Sequence, residues 1–548
     1  MNFLLKLFVI FAFLQIACKN APTIPSEPFQ VNTIKIDGKN SKNALFENVG
    51  VSPKITISFS SKINFASANT SVLILNTKTN EKVQNDIKIG NNDSSLIISP
   101  QTKLQHLGNY QIQILQTLKS KENQGLISES QVRFNTVMDS TDKFERISDD
   151  ELLTLIQKQT FKYFWDFGHP VSGLARERNT SGDIITSGGS GFGIMAIPVA
   201  IKRNFISRQE GLERMLKITD FLKNKTVSYH GVFPHWLNGA TGATIAFSAK
   251  DNGADLVETS YLMAGLLTAR QFFDQNTTNE TKLRKEITEL WEAVDWNFHT
   301  KNNESVLFWH WSPNFGWEMN HQIHGWNEAL ITYILAAASP THPIKKIVYD
   351  AGWAKNGAMK NGKKFYNIEL PLGEDLGGPL FYEQYTFLGI DPRNLKDQYA
   401  DYSVQVKNHS LINRNYCVAN PKGYMGYSKD CWGLTASDNH NGYSAHSPTN
   451  DLGVITPTAA ISSLPFTPAE SMEAIRFFYY KLGDKIWKNH GFVDAFNLSK
   501  GWFATSYLAI DQGPIIGMIE NHRSGQLWSL LMADADVKNG LDKLGFKY

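Results

Sequence analysis

From Asp149 onward the apolar residues return again and again with the period of a helix, in ELLTLIQKQTFKYFWDF, QEGLERMLKITDFLKN, DLVETSYLMAGLLTARQFFD, KLRKEITELWEAVDWNF, NEALITYILAAAS, PAESMEAIRFFYYKLG and SGQLWSLLMADADVKNGLDKLG. No other feature restricts the fold as much. The connections between these stretches are alternately short and long, the long ones are rich in Gly, Trp and Asn, and convincing strand repeats are missing. A helix with one apolar stripe must bury it, and helical hairpins set in a ring bury all their stripes together. The spacing therefore predicts a mainly α unit over residues 148–548, a toroid of helical hairpins whose long loops gather at one end as the working face.

Residues 31–138 have a different character. KITISFS, SVLILN, SLIISP, YQIQIL and SQVRFNT alternate or cluster β-branched and aromatic residues between turn signals, as in a small all-β sandwich. Ile55 to Ser60, Ile97 to Pro100, Tyr110 to Ile114 and Phe134-Asn135-Thr136 together resemble a bacterial Ig-like domain. No cluster of candidate catalytic groups accompanies them, so this domain reads as a spacer or support. Ahead of it, residues 18–30 are polar and proline-bearing, as a tether would be. Residues 1–17 carry Lys6 and an apolar run through Phe13, the pattern of a signal peptide and too short for a settled membrane span. Ile16-Ala17-Cys18 resembles a bacterial lipobox, with Gln15 where an aliphatic residue is usual. The expectation is an exported protein held in the cell envelope, at the periplasm or outer-membrane surface, through a lipid on Cys18; the alternative is a conventional secretory signal followed by a free cysteine. Cys417 and Cys431 flank VANPKGYMGYSKD and could close a surface-loop disulfide in such a compartment, or stay reduced. Neither lies in a metal-ligand pattern, and no metal or cofactor is expected.

Lys plus Arg number 54 against 52 Asp plus Glu, a formal net charge of +2 that gives no electrostatic reason for a nucleic acid or anionic lipid partner. A monomer is expected. More informative is DNGADLVETSYLMAGLL, where Asp251, Asp255 and Glu258 stand at i, i+4 and i+7, one face of a helix. Such like-charge pairs cost an isolated helix about 0.2–0.5 kcal/mol each, so a chain that keeps them uses them, or else Asp251 only caps the helix while the other two answer its dipole. FPHWLNGATG precedes this stretch, and WHWSPNFGWEMN and HGWNEAL follow, in a chain of 13 Trp, 19 Tyr and 33 Phe. Carboxylates among tryptophans point to a cleft for sugars, whose rings stack on flat aromatic faces. Glycoside hydrolysis usually needs two carboxyl groups across the scissile bond, one protonated and one activating water or attacking. Glu328 stands at the start of a helix, where the dipole favours its ionised form; to act as an acid it must be desolvated, which Trp326 and Trp317 could do.

The segments YFWDFGHPVSGLARERN, GGSGFGIMAI, FPHWLNGATG, KDNGADLVETSYLMAGLL, WHWSPNFGWEMN, GWNEALITYILAAASPTHPI, GGPLFYEQYTFLGIDPR, CWGLTASD and DQGPIIGMIENHRSG, collinear from about Glu151 to the C-terminus, strongly resemble the bacterial glucoamylase-like family, family 144 of the glycoside hydrolases. The resemblance implies an (α/α)6 barrel and hydrolysis of β-1,2-glucan to short sophoro-oligosaccharides, usually endo-acting and inverting, with some relatives releasing sophorose from a chain end. It places the family's acidic residues on Asp251, Asp255, Glu258 and Glu328, with Glu328 as general acid, Asp255 as the preferred water-activating base, and Asp251 and Glu258 tuning its charge or holding hydroxyls. Asp511 and Glu520 lie in matching loops and could approach the same site. Trp165, Trp236, Trp311 and Trp317 are candidate stacking platforms or loop anchors, and Arg178, His235 and Tyr385 candidate hydroxyl donors. The competing readings are another glucan hydrolase, α-glucan included, on the same fold, and a non-catalytic glycan-binding lipoprotein. GGSGFG has the wrong glycine spacing for a nucleotide loop and reads as a tight turn beside the cleft. No Gly-x-Ser-x-Gly elbow supports acyl transfer.

Overall fold

A computed structural model describes residues 27–548; the stretch expected to be a signal peptide, the candidate lipidation site Cys18 and most of the expected tether lie outside the described residues. The chain divides into two compact units at Val137 and Met138.

The first unit is a β-sandwich. One sheet has five strands, Val31–Ile36 (β1), Lys39–Asn40 (β2), Ile55–Phe59 (β4), Asn85–Ile89 (β6) and Ser95–Pro100 (β7), in the order β2-β1-β4-β7-β6; the other has Leu45–Val49 (β3), Val72–Asn76 (β5), Asn109–Ile114 (β8) and Ser130–Thr136 (β9), in the order β3-β9-β8-β5. Period-two alternation sets the register: Ile55 pairs with Ile98 and Ile57 with Leu96, all four fully buried, while their neighbours face outward. Phe134 stacks on Tyr110 across β8 and β9 at 5.2 Å.

The second unit is an (α/α)6 toroid. Its inner wall is built from Ser187–Lys202 (α2), Leu256–Phe272 (α4), Leu330–Ala338 (α6), Phe381–Gln384 (α7), Pro457–Ile461 (α9) and Ala509–Ser524 (α11). Outside them run Asp149–Trp165 (α1), Arg208–Asn224 (α3), Thr278–Glu292 (α5), a π-helical turn Val348–Trp353, Tyr402–Ala419 (α8) and Pro468–Arg476 (α10), and Gln526–Ala533 (α12) and Ala535–Leu544 (α13) end the chain. Outer helices start on strong caps: Ser148 with Glu151 and Ser207 with Glu210 form complete capping boxes. The inner helices are buried on every side, as apolar character all round requires.

The run GGSGFG is not a turn, as its glycines suggested, but the opening of α2. Helix α2 crosses α4 so closely that a Cβ on Gly191 would fall on the Tyr261 carbonyl, and one on Gly265 on the Gly191 carbonyl. Buried polar bonds join the remaining inner helices. Ser260 and Thr332 share a hydrogen bond of 2.8 Å, Ile331 N–H donates to Thr386 Oγ1, Gln384 Nε2 to the Ala459 carbonyl, and Thr458 Oγ1 to the Asp511 carbonyl. Because several of these bonds join first turns, the N-termini of the inner helices gather at one rim. Among the described residues no helix is long and apolar enough to cross a membrane.

Candidate active site

Asp251, Asp255 and Glu258 do come together at that rim, but not along one helix. Asp251 lies in the preceding loop, Asp255 is the N-cap of α4, and only Glu258 is inside the helix. A two-residue strand pair, Ala254 with Trp311 and Asp255 with His310, ties the cap to the WHW segment and sets the side chains.

Asp255 is completely buried and carries three hydrogen bonds. It accepts from Glu258 N–H at 3.0 Å, Trp309 Nε1 at 2.9 Å and His235 Nδ1 at 2.9 Å, with His310 Nε2 at 3.6 Å from its second oxygen. Burial would raise its pKa, but these donors outweigh burial and lower it. Fully buried and held by three donors, Asp255 is shut off from solvent in this structure and organises the site, a geometry that does not favour the expected role of base.

Its neighbours divide the charge. Burial depresses His235, yet the Glu258 charge, its hydrogen bond to Asp255 and the Asp255 and Asp251 charges push it up to about 9, so it is an imidazolium at neutral pH. His310 is driven by burial down to about 4 and is neutral. Asp251, 4% exposed, is pushed up to about 7 by burial and by the Asp255 charge; its Oδ2 lies 3.3 Å from His310 Nε2, and its Oδ1 has no partner among the described residues. Glu258 is raised by burial, and its Oε2 accepts from Gly188 N–H at 2.9 Å and lies 3.4 Å from Thr186 Oγ1. His235, Asp251 and Asp255 also bring ligand atoms within 4.8 Å of one another, a set that could hold a divalent cation and that the sequence reading did not foresee. Ligation would need His235 to surrender its proton and its bond to Asp255.

Glu328 stands two residues before α6 on the same rim. Burial, followed by the Glu258 and Asp255 charges, pushes it up to about 7 against the pull of its own backbone N–H. Its main-chain carbonyl accepts from Thr386 Oγ1 at 2.9 Å and Tyr261 Oη at 3.3 Å, which fixes the turn that carries it. The helix dipole expected to keep it ionised is overcome by desolvation.

A second carboxyl group forms where α11 begins. Asp511 and Asp494, both about 2% exposed, lie side by side; burial raises both, the Asp438 charge adding to Asp494, which reaches about 7, and the Asp494 charge adding to Asp511. Asp494 accepts from Asp438 N–H, and Asp438 in turn accepts from Arg178 Nη1 at 3.1 Å and from Ser506 Oγ. Arg178 is thus an ion-pair partner of Asp438 and Glu177. Tyr385 packs on Phe192, Tyr261 and Phe381 between the two carboxyl groups, and burial keeps its hydroxyl protonated.

The aromatic candidates separate. Trp236 lies edge-on to His235 and to the half-exposed Phe247, and Phe247 stacks on His235 at 4.2 Å, so these three rings form a wall beside Asp255. Trp311 packs on Tyr229, His230 and Phe298, and Trp317 on Phe298, His299 and Phe308; both anchor loops. Trp165 is not at the site: it stacks on Phe161 under the Arg214 guanidinium at the end of α1. Nor is Glu520, which is buried in α11 and held below the usual carboxylate range by Arg203, Ser524 and Gln157. Cys417 and Cys431 are not bridged; both are free and fully buried, which pushes their thiols up, in place of the expected surface disulfide. Sequence reasoning missed Trp309, His310 and Asp494. Both Trp309 and His310 of WHW reach Asp255, a meeting set by the pairing of Asp255 with His310, which the sequence does not show.

Residues 320–535 match the family described as "Putative glucoamylase", and residues 40–136 the bacterial Ig-like domain. The endo-β-1,2-glucanase of Chitinophaga pinensis, solved with sophorotriose and glucose, is 50% identical, with 74% of this chain and 99% of that one covered, at a TM-score of 0.72. The chain belongs to the glucoamylase-like family 144 of glycoside hydrolases. A β-1,2-glucanase of Parabacteroides distasonis is 35% identical over 95% of this chain and 73% of its own, at a TM-score of 0.71. An exo β-1,2-glucooligosaccharide sophorohydrolase (non-reducing end) of the same organism is 44% identical over 421 residues, which are 73% of this chain and 58% of that protein's length. The chain therefore spans little more than half of that family member.

Proposed function

We propose that this family 144 member hydrolyses β-1,2-glucan within the chain, with inversion, to short sophoro-oligosaccharides. The observation that carries the reading is Glu328: a carboxyl pushed up to about 7 beside an aromatic wall keeps a large protonated fraction near neutral pH, where an ordinary carboxyl has almost none, and can give that proton to a leaving glycosidic oxygen. Inversion needs a second carboxyl on the opposite face of the sugar, roughly 6.5–9.5 Å away, to activate water. Asp255 is buried under three donors, and Glu258 belongs to the inner helix next to that of Glu328. Asp511 stands on the sixth inner helix, across the ring from Glu328 on the third, and its Oδ2 has no hydrogen-bond partner among the described residues. We assign the base to Asp511, with Asp494 beside it. His235, Trp236 and Phe247 offer a charged donor and ring faces to the glucose units.

The β-1,2 linkage is supported by what the C. pinensis and P. distasonis relatives act on, and the internal mode by the greater identity to the endo-acting one, 50% against 44%. The reading includes export and anchoring through Cys18. Purified protein starting after Cys18 is incubated with linear β-1,2-glucan, β-1,3-glucan and starch. Mixed short β-1,2 oligosaccharides, lost in Glu328→Gln while glucan binding persists, are expected. Sophorose as sole first product would replace internal with terminal cleavage, cleavage of starch alone would overturn the substrate, and full activity of Glu328→Gln would overturn the acid.

A further inference from the structure

Behind Glu328 lies a buried charged pair that the catalytic scheme does not use. Glu383, on the short inner helix α7, has no solvent exposure, and neither does His409 on α8. Glu383 Oε1 accepts three hydrogen bonds, from Trp326 Nε1 at 2.9 Å, Gln405 Nε2 at 2.8 Å and His409 Nδ1 at 2.6 Å. His409 Nε2 lies 3.1 Å from the Gly378 carbonyl, which can only accept, so that nitrogen carries a hydrogen. An oxygen that already accepts from Trp326 and Gln405 has no room for a proton of its own. The hydrogen between Glu383 and His409 therefore sits on Nδ1, and the pair is a carboxylate with an imidazolium. Isolated charges at this depth are expensive, and such pairs persist where they fix a geometry.

The geometry fixed here is that of the turn bearing Glu328. Trp326 is two residues before Glu328 and 6% exposed, and its only polar atom is spent on Glu383. The segment 372–378 wraps the pair from outside: Leu372 N–H donates to Gln405 Oε1, Gly373 lies against the Trp326 ring, and Gly377, at φ +95°, leaves space that a Cβ would lose to the His409 ring. From the other side Thr386, three residues beyond Glu383, donates to the Glu328 carbonyl and accepts from Ile331 N–H.

We infer that Glu383, charge-paired with His409, is a positioning residue that clamps Trp326 and thereby holds the Glu328 turn in register with the sugar. This rests on the reading of Glu328 as the acid. Glu383 touches no substrate; it acts through Trp326.

The test compares Trp326→Phe, which keeps a ring and deletes only the donor, with Glu383→Gln and the double variant, on β-1,2-glucan. Each single change is expected to lower kcat about 10- to 100-fold, the scale of a misplacement of about 1 Å, with KM within about twofold. The alkaline limb of the kcat–pH profile should move to lower pH, because a displaced Glu328 becomes better hydrated. Since Trp326→Phe deletes the donor outright and Glu383→Gln, which keeps an acceptor oxygen, weakens the same contact by removing its charge, the double variant should lose no more than the worse single one. Folded variants with wild-type kcat and pH profile, or losses that multiply, would overturn the inference. If Glu383→Gln does not fold, Trp326→Phe decides alone. Glu328→Gln is assayed beside them: should it stay active, the acid assignment has failed; should it be inactive while Trp326→Phe is unaltered, only the clamp has failed.

Discussion

Replacing Glu328 by Gln should make the protein more stable as it becomes inactive, and by an amount that depends on pH. In the folded state the carboxyl holds its proton up to about 7, whereas its ordinary value is 4.5. Between those pH values the folded protein binds more protons at this position than the unfolded chain does. Stability contributed by the raised group is thus fully present below about 4.5 and is lost as pH rises through about 7. A gap of about 2.5 pH units at 1.36 kcal/mol per unit is roughly 3 kcal/mol at pH 8. Gln carries no charge at any pH and escapes that loss. For a unit of this length, with an unfolding entropy of about 2.1 cal/mol/K per residue, roughly 3 kcal/mol moves Tm by about 3–4 °C. Calorimetry of both proteins from pH 4 to pH 8.5 should show Tm values that agree below pH 4.5 and separate toward alkaline pH, with the variant higher. The midpoint of that separation should match the alkaline limb of the wild-type kcat profile. A Tm difference that does not change with pH, or a wild type that gains on the variant as pH rises, would refute the argument that burial keeps Glu328 protonated.

Asp255→Asn should remove one of the negative charges that, after Glu258, keep His235 protonated, so that the His235 imidazole, followed by NMR, titrates below about 9, while kcat falls about 100-fold or more through disorder of the WHW contacts. Breaking the buried Glu520 pair by Glu520→Ala should cost roughly 3–5 kcal/mol in denaturant unfolding, yet leave kcat of the folded fraction at the wild-type level; a specific loss of kcat would return Glu520 to the site. Trp236→Ala should raise KM for glucan whereas Trp165→Phe should not, measured on the same polymer. Cys417 and Cys431 should react with a thiol reagent only after unfolding, and a reductant should leave Tm unchanged.

How much of this was legible in the sequence depended on distance along the chain. The toroid followed from apolar periods, and the sandwich from alternation such as Ile55, Ile57 and Phe59, because both signals are local. The cluster of Asp251, Asp255 and Glu258 was found for an incomplete reason: the i, i+4, i+7 spacing suggested one helix face, but the helix starts at Leu256, and a strand pair with His310 and Trp311 brings the three together. The glycines of GGSGFG read as a turn because their cause, the crossing of α2 over α4, lies some seventy residues away. Trp309, His310 and Asp494 were invisible for the same reason. Asp255 was favoured as base by its motif, and its complete burial under three donors is visible only in the fold.

The most direct measurement follows the anomeric signals of the products by NMR during the first minutes of β-1,2-glucan hydrolysis. The α-anomer should appear first and mutarotate later, since a water activated at Asp511 attacks from the face opposite the bond protonated by Glu328. Initial release of the β-anomer would mean retention through a covalent intermediate, and would contradict both the assignment of the pair and its placement across the ring.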